Sequence, residues 1–206
     1  MLHLVTHPLV HECLAELRDA RTEPERFRSL ANRVSVLLGA EALRDLPTVD
    51  ETVATPLGPA VCRRLATDVV MAPVLRAGLG MLPGMLELVP NARVGHLGLQ
   101  RDERTAVASQ YYAKLPPNIH NSYVLLIDPM LATGGSAVAA LDMLTRAGAR
   151  HIRLVCIVAA PEGVACVEKA YPNVPIFTPV VDRELNANKY IVPGLGDFGD
   201  RLYGTA

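Results

Sequence analysis

The stretch Ile127–Ala137, IDPMLATGGSA, puts an acid ahead of Thr133, Gly134, Gly135 and Ser136. The hydroxyls and backbone N–H groups of such a loop can wrap a phosphate, because glycine tolerates close approach and unusual dihedrals. A carboxylate placed against that phosphate would repel it, so Asp128 suits sugar hydroxyls or a metal-bound water. Together these parts describe a cradle for a ribose 5-phosphate. Taken alone, the same loop also reads as a polar strand-to-helix turn with Asp128 as a cap.

Arg76 stands where the apolar run VVMAPVL gives way to AGLG. Its planar fork can meet phosphate oxygens beside N–H groups that the glycines leave free; the plainer reading is a surface arginine at a strand end. Arg101 opens the cluster RDER, which alone reads as solvated charge. Gly194, Gly196 and Gly199 spell G-x-G-x-x-G, but only seven residues follow, too few for the helix and later acid of a dinucleotide-binding unit. No G-x-x-x-x-G-K-[ST] occurs, so the T-G-G-S loop is not that of a P-loop hydrolase. His3, His7 and His11 have helical spacing, but Pro8 interrupts them and no carboxylate or cysteine completes a metal set, so surface histidines are expected.

These groups need a scaffold. HPLVHECLAELRDA puts Leu9, Val10, Cys13, Leu14 and Leu17 on one helical stripe, with Thr6 as cap and Pro8 in the first turn. After RTEPE, Phe27, Leu30, Ala31, Val34, Leu37 and Leu38 repeat that spacing behind Pro24. From Asp68 the texture changes to short, largely β-branched runs, DVVMAPVL, ARVGHLGL, SYVLLID, HIRLVCIVAA and NVPIFTPVV, separated in places by helical segments such as GGSAVAALDMLTRAGA. Apolar runs without clean alternation fit strands covered on both faces, hence a parallel sheet of an α/β fold. In open sheets of that kind ligands sit beyond the carboxyl ends of strands, where a following helix aims free N–H groups at an anion. SYVLLID, PMLATGGS and AVAALDMLTRAG have that strand, loop and helix order. QRDERTAVASQYYAKLPPN interrupts the rhythm with a charged turn between residues of strand type, an arm or hairpin beside the site.

The 206 residues, half apolar and 20% charged, suit one well-cored domain. A net charge of −1 offers no overall basic field for nucleic acid or membrane phosphates. Cys13, Cys62, Cys156 and Cys166 lack C-x-x-C spacing and read as reduced thiols. The amino terminus carries histidines and acids where a signal peptide would be basic and then apolar, and no run approaches the ~18 apolar residues of a membrane span. A cytoplasmic protein is the default expectation.

VLLIDPMLATGGSA resembles the phosphoribosyl diphosphate (PRPP) motif of type I phosphoribosyltransferases, in the form used by the uracil phosphoribosyltransferase family. The wider superfamily usually has two adjacent acids where this chain has Asp128 and Pro129, and the uracil branch shares the Asp-Pro. APVLRAGLGM (Ala72–Met81) resembles that family's diphosphate loop, YIVPGLGDFGDRLYGT (Tyr190–Thr205) its uracil-binding segment, and AAPEG (Ala159–Gly163) fits as well. The likeness runs from HPLV to the last residues. VATPLGPAVCRRLATD and GHLGLQRDERTAVASQYY follow the pattern only loosely, apart from RDE.

The resemblance implies a type I phosphoribosyltransferase fold: one α/β domain over residues 1–206, with a central mainly parallel sheet flanked by helices. It places amino-terminal helices in 1–50, a β-arm in 100–117 and a base-binding hood in 182–206. It implies transfer of the 5-phosphoribosyl group from PRPP to uracil, giving UMP and diphosphate, in pyrimidine salvage. Such a displacement at the anomeric carbon needs no covalent nucleophile. It needs cations and donors at the leaving oxygens, a divalent metal, and uracil held in line.

By this resemblance PRPP meets Arg76, Arg101, Asp128, Pro129, Met130, Leu131, Ala132, Thr133, Gly134, Gly135, Ser136 and Asp197. Uracil meets Ile191, Gly196, Asp197 and Phe198, chiefly through main-chain groups that test donor and acceptor order. Asp128, Arg101 and Asp197 are the catalytic candidates, Asp197 for orientation or weak proton acceptance. The Phe198 ring also reads as a core side chain whose backbone serves the base. Mg²⁺ is expected on PRPP and water with no direct protein ligand, Asp197 reaching it at most indirectly. The implied partners are PRPP, uracil, a GTP effector as in parts of the family, and further copies of the chain in a homodimer or larger assembly, with neither nucleic acid nor membrane. Two alternatives are a PRPP- or nucleotide-binding regulator that contacts RNA, against which the balanced charge and the complete uracil segment weigh, and a transferase fold without activity, against which the presence of Arg76, Arg101, Asp128, the T-G-G-S loop and Asp197 weighs.

Overall fold

Apolar runs with no solvent-facing alternation can be satisfied only between two layers, and that is how this chain folds. The computed structural model describes residues 1–101 and 108–205, with the backbone alone at Arg101 and Ala108. Strand β1 (Leu2–Leu4) leads into helices α1 (Pro8–Arg18) and α2 (Pro24–Ala42), then a hairpin of β2 (Thr48–Thr55) and β3 (Gly58–Leu65). There follow β4 (Val69–Leu75), a 3-10 turn (Ala77–Gly80), α3 (Leu82–Leu88), β5 (Arg93–Val94), β6 (His96–Arg101) and β7 (Ala108–Lys114). Next come β8 (Tyr123–Ile127), β9 (Met130–Leu131), α4 (Gly135–Arg146), β10 (His151–Val155), β11 (Val158–Ala159), α5 (Pro161–Ala170) and β12 (Ile176–Thr178). The chain closes with β13 (Glu184–Leu185), β14 (Ile191–Val192) and α6 (Phe198–Tyr203).

The main sheet has the order β1-β12-β10-β8-β4-β6-β7, with β5 also on β4. Its pairings are parallel except for the antiparallel β6–β7 edge. Successive residues of the central strands feed opposite cores. Leu125 and Ile127 of β8 pack with α1, α2 and α6 residues such as Leu17, Phe27, Leu30 and Leu202. Val124 and Leu126 pack with Leu141, Leu144, Val164 and Val167 of α4 and α5.

Several elements differ from the sequence expectations. His7, not Thr6, caps α1, its Nδ1 accepting the Leu9 N–H at 3.2 Å. Leu9, counted in the apolar stripe, is exposed. The run HIRLVCIVAA is two strands, because after β10 the chain steps to β11, which pairs with β9 rather than with the main sheet. The short run LHL becomes an edge strand parallel to β12, a non-local pairing with no local sequence signal. The amino-terminal helices end at Ala42, and residues within VATPLGPAVCRRL join an antiparallel hairpin registered from Thr48↔Leu65 to Thr55↔Gly58. The expected arm begins at His96 as β6 and continues after residues 102–107, which lie outside the described residues, as the edge strand β7. Among the described residues no helix is long and apolar enough to cross a membrane.

Phe27 is fully buried and meets the Phe198 ring edge-on at 5.1 Å, joining α2 to α6. Phe27→Ala should lower unfolding free energy by about 3–5 kcal/mol through lost burial and a cavity, read from the urea midpoint at unchanged slope.

Candidate active site

The order of strands explains where the cavity lies. From β4 the chain moves to one side, to β6, whereas from β8 it moves to the other, to β10 and β12. Adjacent parallel strands that feed opposite directions open a crevice at their carboxyl ends. The β4–β8 register runs from Val69↔Tyr123 to Pro73↔Ile127, so Arg76 and Asp128 leave neighbouring strand ends.

A cavity of about 230 Å³ there is lined by Val74–Ala77, Leu99, Asp128, Met130–Gly134, Ser136 and Ala137. A second, of about 280 Å³, is lined by Ala77, Met130, Ala132, Asn188–Ile191 and Gly196–Gly199. Ala77, Met130 and Ala132 line both, so the two adjoin.

The loop between β9 and α4 is shaped by close packing. Gly134 caps α4 with φ 83°, and a Cβ there would stand 2.7 Å from Cys166 Cβ and 2.9 Å from the Gly163 carbonyl oxygen. Across the contact, a Cβ on Gly163 would lie 2.5 Å from the Ala132 oxygen. The loop therefore lies directly on α5, which explains the glycine of AAPEG. The first-turn N–H groups of α4 have no partner within the helix, and Gly134, Ser136 and Ala137 at that end line the cavity.

Asp128 follows the last residue of β8, its residue surface partly open to the cavity but its carboxyl deep in the protein. Burial raises that carboxyl to about 7, against a smaller opposing pull from the Met130 N–H. The neighbouring Cys156 thiol is fully buried and pushed up to about 12, again chiefly by burial. Arg76 is loosely held at the rim: its guanidinium lies 4.0 Å from Asp200 Oδ1 and 5.9 Å from the Tyr203 ring centre. Of Arg101 only the backbone is described, paired with Ala108 at the end of β6, and its side chain lies outside the described residues.

In the second cavity Asp197 caps α6, its Oδ1 accepting the Asp200 N–H at 2.9 Å. Ile191 is buried, Gly196 turns at φ 82°, and the buried Phe198 ring belongs to the core. The structure thus gathers Arg76, Asp128, Met130, Leu131, Ala132, Thr133, Gly134 and Ser136 at one cavity, and Ile191, Gly196, Asp197 and Phe198 at the other.

Two expected residues, Pro129 and Gly135, line neither cavity. The Pro129 carbonyl instead accepts N–H groups of Ile157 and Val158 at 2.9 and 3.1 Å, tying the loop to the β10–β11 step. Gly135 begins α4. Sequence reasoning missed Val74, Leu75, Ala77, Leu99 and Ala137 in the first cavity and Asn188, Lys189, Tyr190 and Gly199 in the second. Val74, Leu75, Ala77, Ala137, Tyr190 and Gly199 lay inside segments already singled out; Asn188 and Lys189 immediately precede one.

Solved phosphoribosyltransferases share this architecture: an adenine phosphoribosyl transferase from Trypanosoma brucei superposes with a TM-score of 0.59 at 15% identity, over 88% of this chain and 83% of that one. The fold is that of the type I phosphoribosyltransferases. The structure of the AQ2163 protein from Aquifex aeolicus matches with a TM-score of 0.96 and 38% identity over 100% of this chain and 99% of the other. A family model described as uracil phosphoribosyltransferase matches residues 4–205. A uracil phosphoribosyltransferase of Symbiobacterium thermophilum is 51% identical over 203 residues, 98% of this chain and 97% of that protein. The chain belongs to the uracil phosphoribosyltransferase family.

Two substitutions test the geometry. Gly134→Ala should cost about 1–3 kcal/mol of stability from its left-handed dihedral alone, with the Cys166 contact adding to it, as thermal unfolding would register. Asp128→Asn should raise stability at neutral pH. A carboxyl held at about 7 in the fold and near 4 when unfolded makes the wild type lose stability as pH rises between those values. The gain should be on the order of a few kcal/mol above pH 7 and vanish near pH 4, which paired unfolding curves at pH 4 and pH 8 would resolve.

Proposed function

We propose that the chain transfers the 5-phosphoribosyl group of PRPP to uracil, releasing diphosphate and forming UMP for pyrimidine salvage. The observation that carries this reading is the joined pair of cavities. One combines a phosphate-type loop, a helix amino terminus, a carboxyl and an arginine; the other is lined by a glycine-rich segment.

In this reading the Thr133–Ser136 loop and the first turn of α4 hold the 5-phosphate by N–H and hydroxyl groups. Asp128 accepts hydrogen bonds from the ribose hydroxyls, so its ionised form is the competent one. Arg76 and Arg101 neutralise the departing diphosphate as charge builds on it. Main-chain groups of Ile191, Gly196 and Phe198 pair with uracil, and a base of different donor order would leave buried groups unpaired. Asp197, with Oδ1 engaged as a cap, keeps its second oxygen for the reacting nitrogen or for water.

Among the described residues no group of three or more His, Cys, Asp or Glu side chains converges as metal ligands. By the family resemblance a Mg²⁺ ion would be carried by PRPP and water, and Asp128 and Asp197 are the residues that could meet it through water. When bound, the ion supplies positive charge to the diphosphate.

A second copy of this chain is the proposed partner. Supporting it, the β2–β3 hairpin leaves Val49, Leu57, Val61 and Leu65 exposed. A GTP effector rests on the family resemblance alone.

Diphosphate release from PRPP and Mg²⁺ should occur with uracil and not with cytosine, hypoxanthine or orotate, with GTP as a further arm. PRPP binding without turnover would favour a regulator instead. Asp128→Asn should lower kcat by at least about 100-fold, since it removes a preorganised acceptor, and Arg76→Ala should chiefly raise KM for PRPP. The wild-type kcat/KM for PRPP should rise with pH through about 7, where Asp128 ionises, and that limb should disappear in Asp128→Asn.

A further inference from the structure

The segment that lines the second cavity has little side-chain packing of its own at Gly194 and Gly196, both with positive φ. Its conformation must be imposed from outside, and the structure shows by what. Asp182 is buried, with its side chain 4% exposed, and its N–H donates to the Ala159 carbonyl at 2.8 Å. Its carboxylate receives the fork of Arg18, from the last turn of α1, in a two-pronged contact of 2.6 and 2.8 Å. Asp182 Oδ2 also accepts the Gly194 N–H at 2.8 Å, and Arg18 donates to the Gly194 carbonyl at 2.7 Å. Both main-chain groups of Gly194 are thus gripped by one ion pair.

A second arginine extends the grip. Arg201 donates to the Leu195 carbonyl at 2.8 Å, to the Asp19 carbonyl at 2.6 Å and to the Leu17 carbonyl, with its guanidinium 4.6 Å over the Phe27 ring. The end of α1 and the loop ahead of α6 are therefore one hydrogen-bonded unit, although they are some 180 residues apart.

A buried ion pair is a poor device for stability, because removing two charges from water offsets most of their attraction; one attested use is to select a single conformation. We infer that Arg18 and Asp182 are positioning residues for the base: their paired contacts with Gly194 set the main-chain donors and acceptors of residues 194–198 at the spacing that admits uracil. This inference rests on the proposed transferase reading. Neither residue lines either cavity. The effect is on the second cavity, leaving the phosphate loop and Arg76 untouched.

The test measures KM for uracil and for PRPP separately, with kcat and thermal unfolding, in wild type, Asp182→Asn, Arg18→Lys and the double variant Arg18→Met/Asp182→Asn. The double variant leaves no lone buried charge, and the side-chain amide that replaces the Asp182 carboxylate can still accept the Gly194 N–H, so it should melt near wild type. The double variant, which loses the Arg18 bond to the Gly194 carbonyl, should raise KM for uracil at least about tenfold, as loss of positioning does, with KM for PRPP within about twofold, and Asp182→Asn, which keeps an acceptor for the Gly194 N–H, should raise it less. Arg18→Lys, a point charge without the planar fork, should fall between the double variant and wild type. Uracil KM at the wild-type value in an active double variant would overturn the inference alone. Parallel rises in both KM values, tracking the loss of thermal stability, would overturn it as well by reducing the pair to a structural role. A wild type without turnover on uracil and PRPP would overturn the functional reading, and this inference with it.

Discussion

The ladder between β4 and β8 is the constraint on which the rest of this protein depends. Five registered pairs, Val69↔Tyr123 to Pro73↔Ile127, bring two strands to their carboxyl ends side by side. From that level Arg76 and Asp128 emerge as neighbours although 52 residues separate them in sequence. The ladder holds because both faces are buried, with alternate residues of each strand committed to different cores. Slipping the register by one residue would exchange those cores and dismantle the crevice.

The first cavity is built on an electrostatic tension. Asp128 is placed where a charge is poorly solvated, and its raised pKa expresses that. A fold selected for stability alone would hold an amide or an apolar residue there. The Thr133–Ser136 loop above it is fixed by contact distance, since the approach of Gly134 and Gly163 leaves no room for a methyl group on either. The loop is therefore preorganised by packing against α5, with little dependence on side-chain hydrogen bonds of its own.

The second cavity is preorganised differently. In the proposed reading main-chain groups meet the base there, and main chain can discriminate only when something else holds it rigid. Phe198 is anchored on Phe27, α6 is capped by Asp197, and Gly194 is held by Arg18 and Asp182. The amino-terminal helices, remote from the cavity in sequence, thus become its foundation.

Much of this was legible in the residues. The two amphipathic helices, the apolar strands after Asp68 and the strand-loop-helix around Thr133 followed from local periodicity and turn chemistry, which act over a few residues. The motifs pointed to the Thr133–Ser136 loop and the glycine-rich segment, which line the two adjoining cavities, because their composition is tied to close approach and main-chain exposure. The edge strand β1, the β2–β3 hairpin and the split of HIRLVCIVAA were not legible, since each is decided by which distant backbone is available for pairing. Nor could sequence say that Pro129 would turn its carbonyl toward β11, that Asn188 and Lys189 would line the second cavity, or that Arg18 would reach Gly194. Local sequence determined the elements and the kinds of chemical group this protein carries. Tertiary structure decided which groups meet, because burial, dielectric and hydrogen-bond partner belong to a position in space that many separate segments create together.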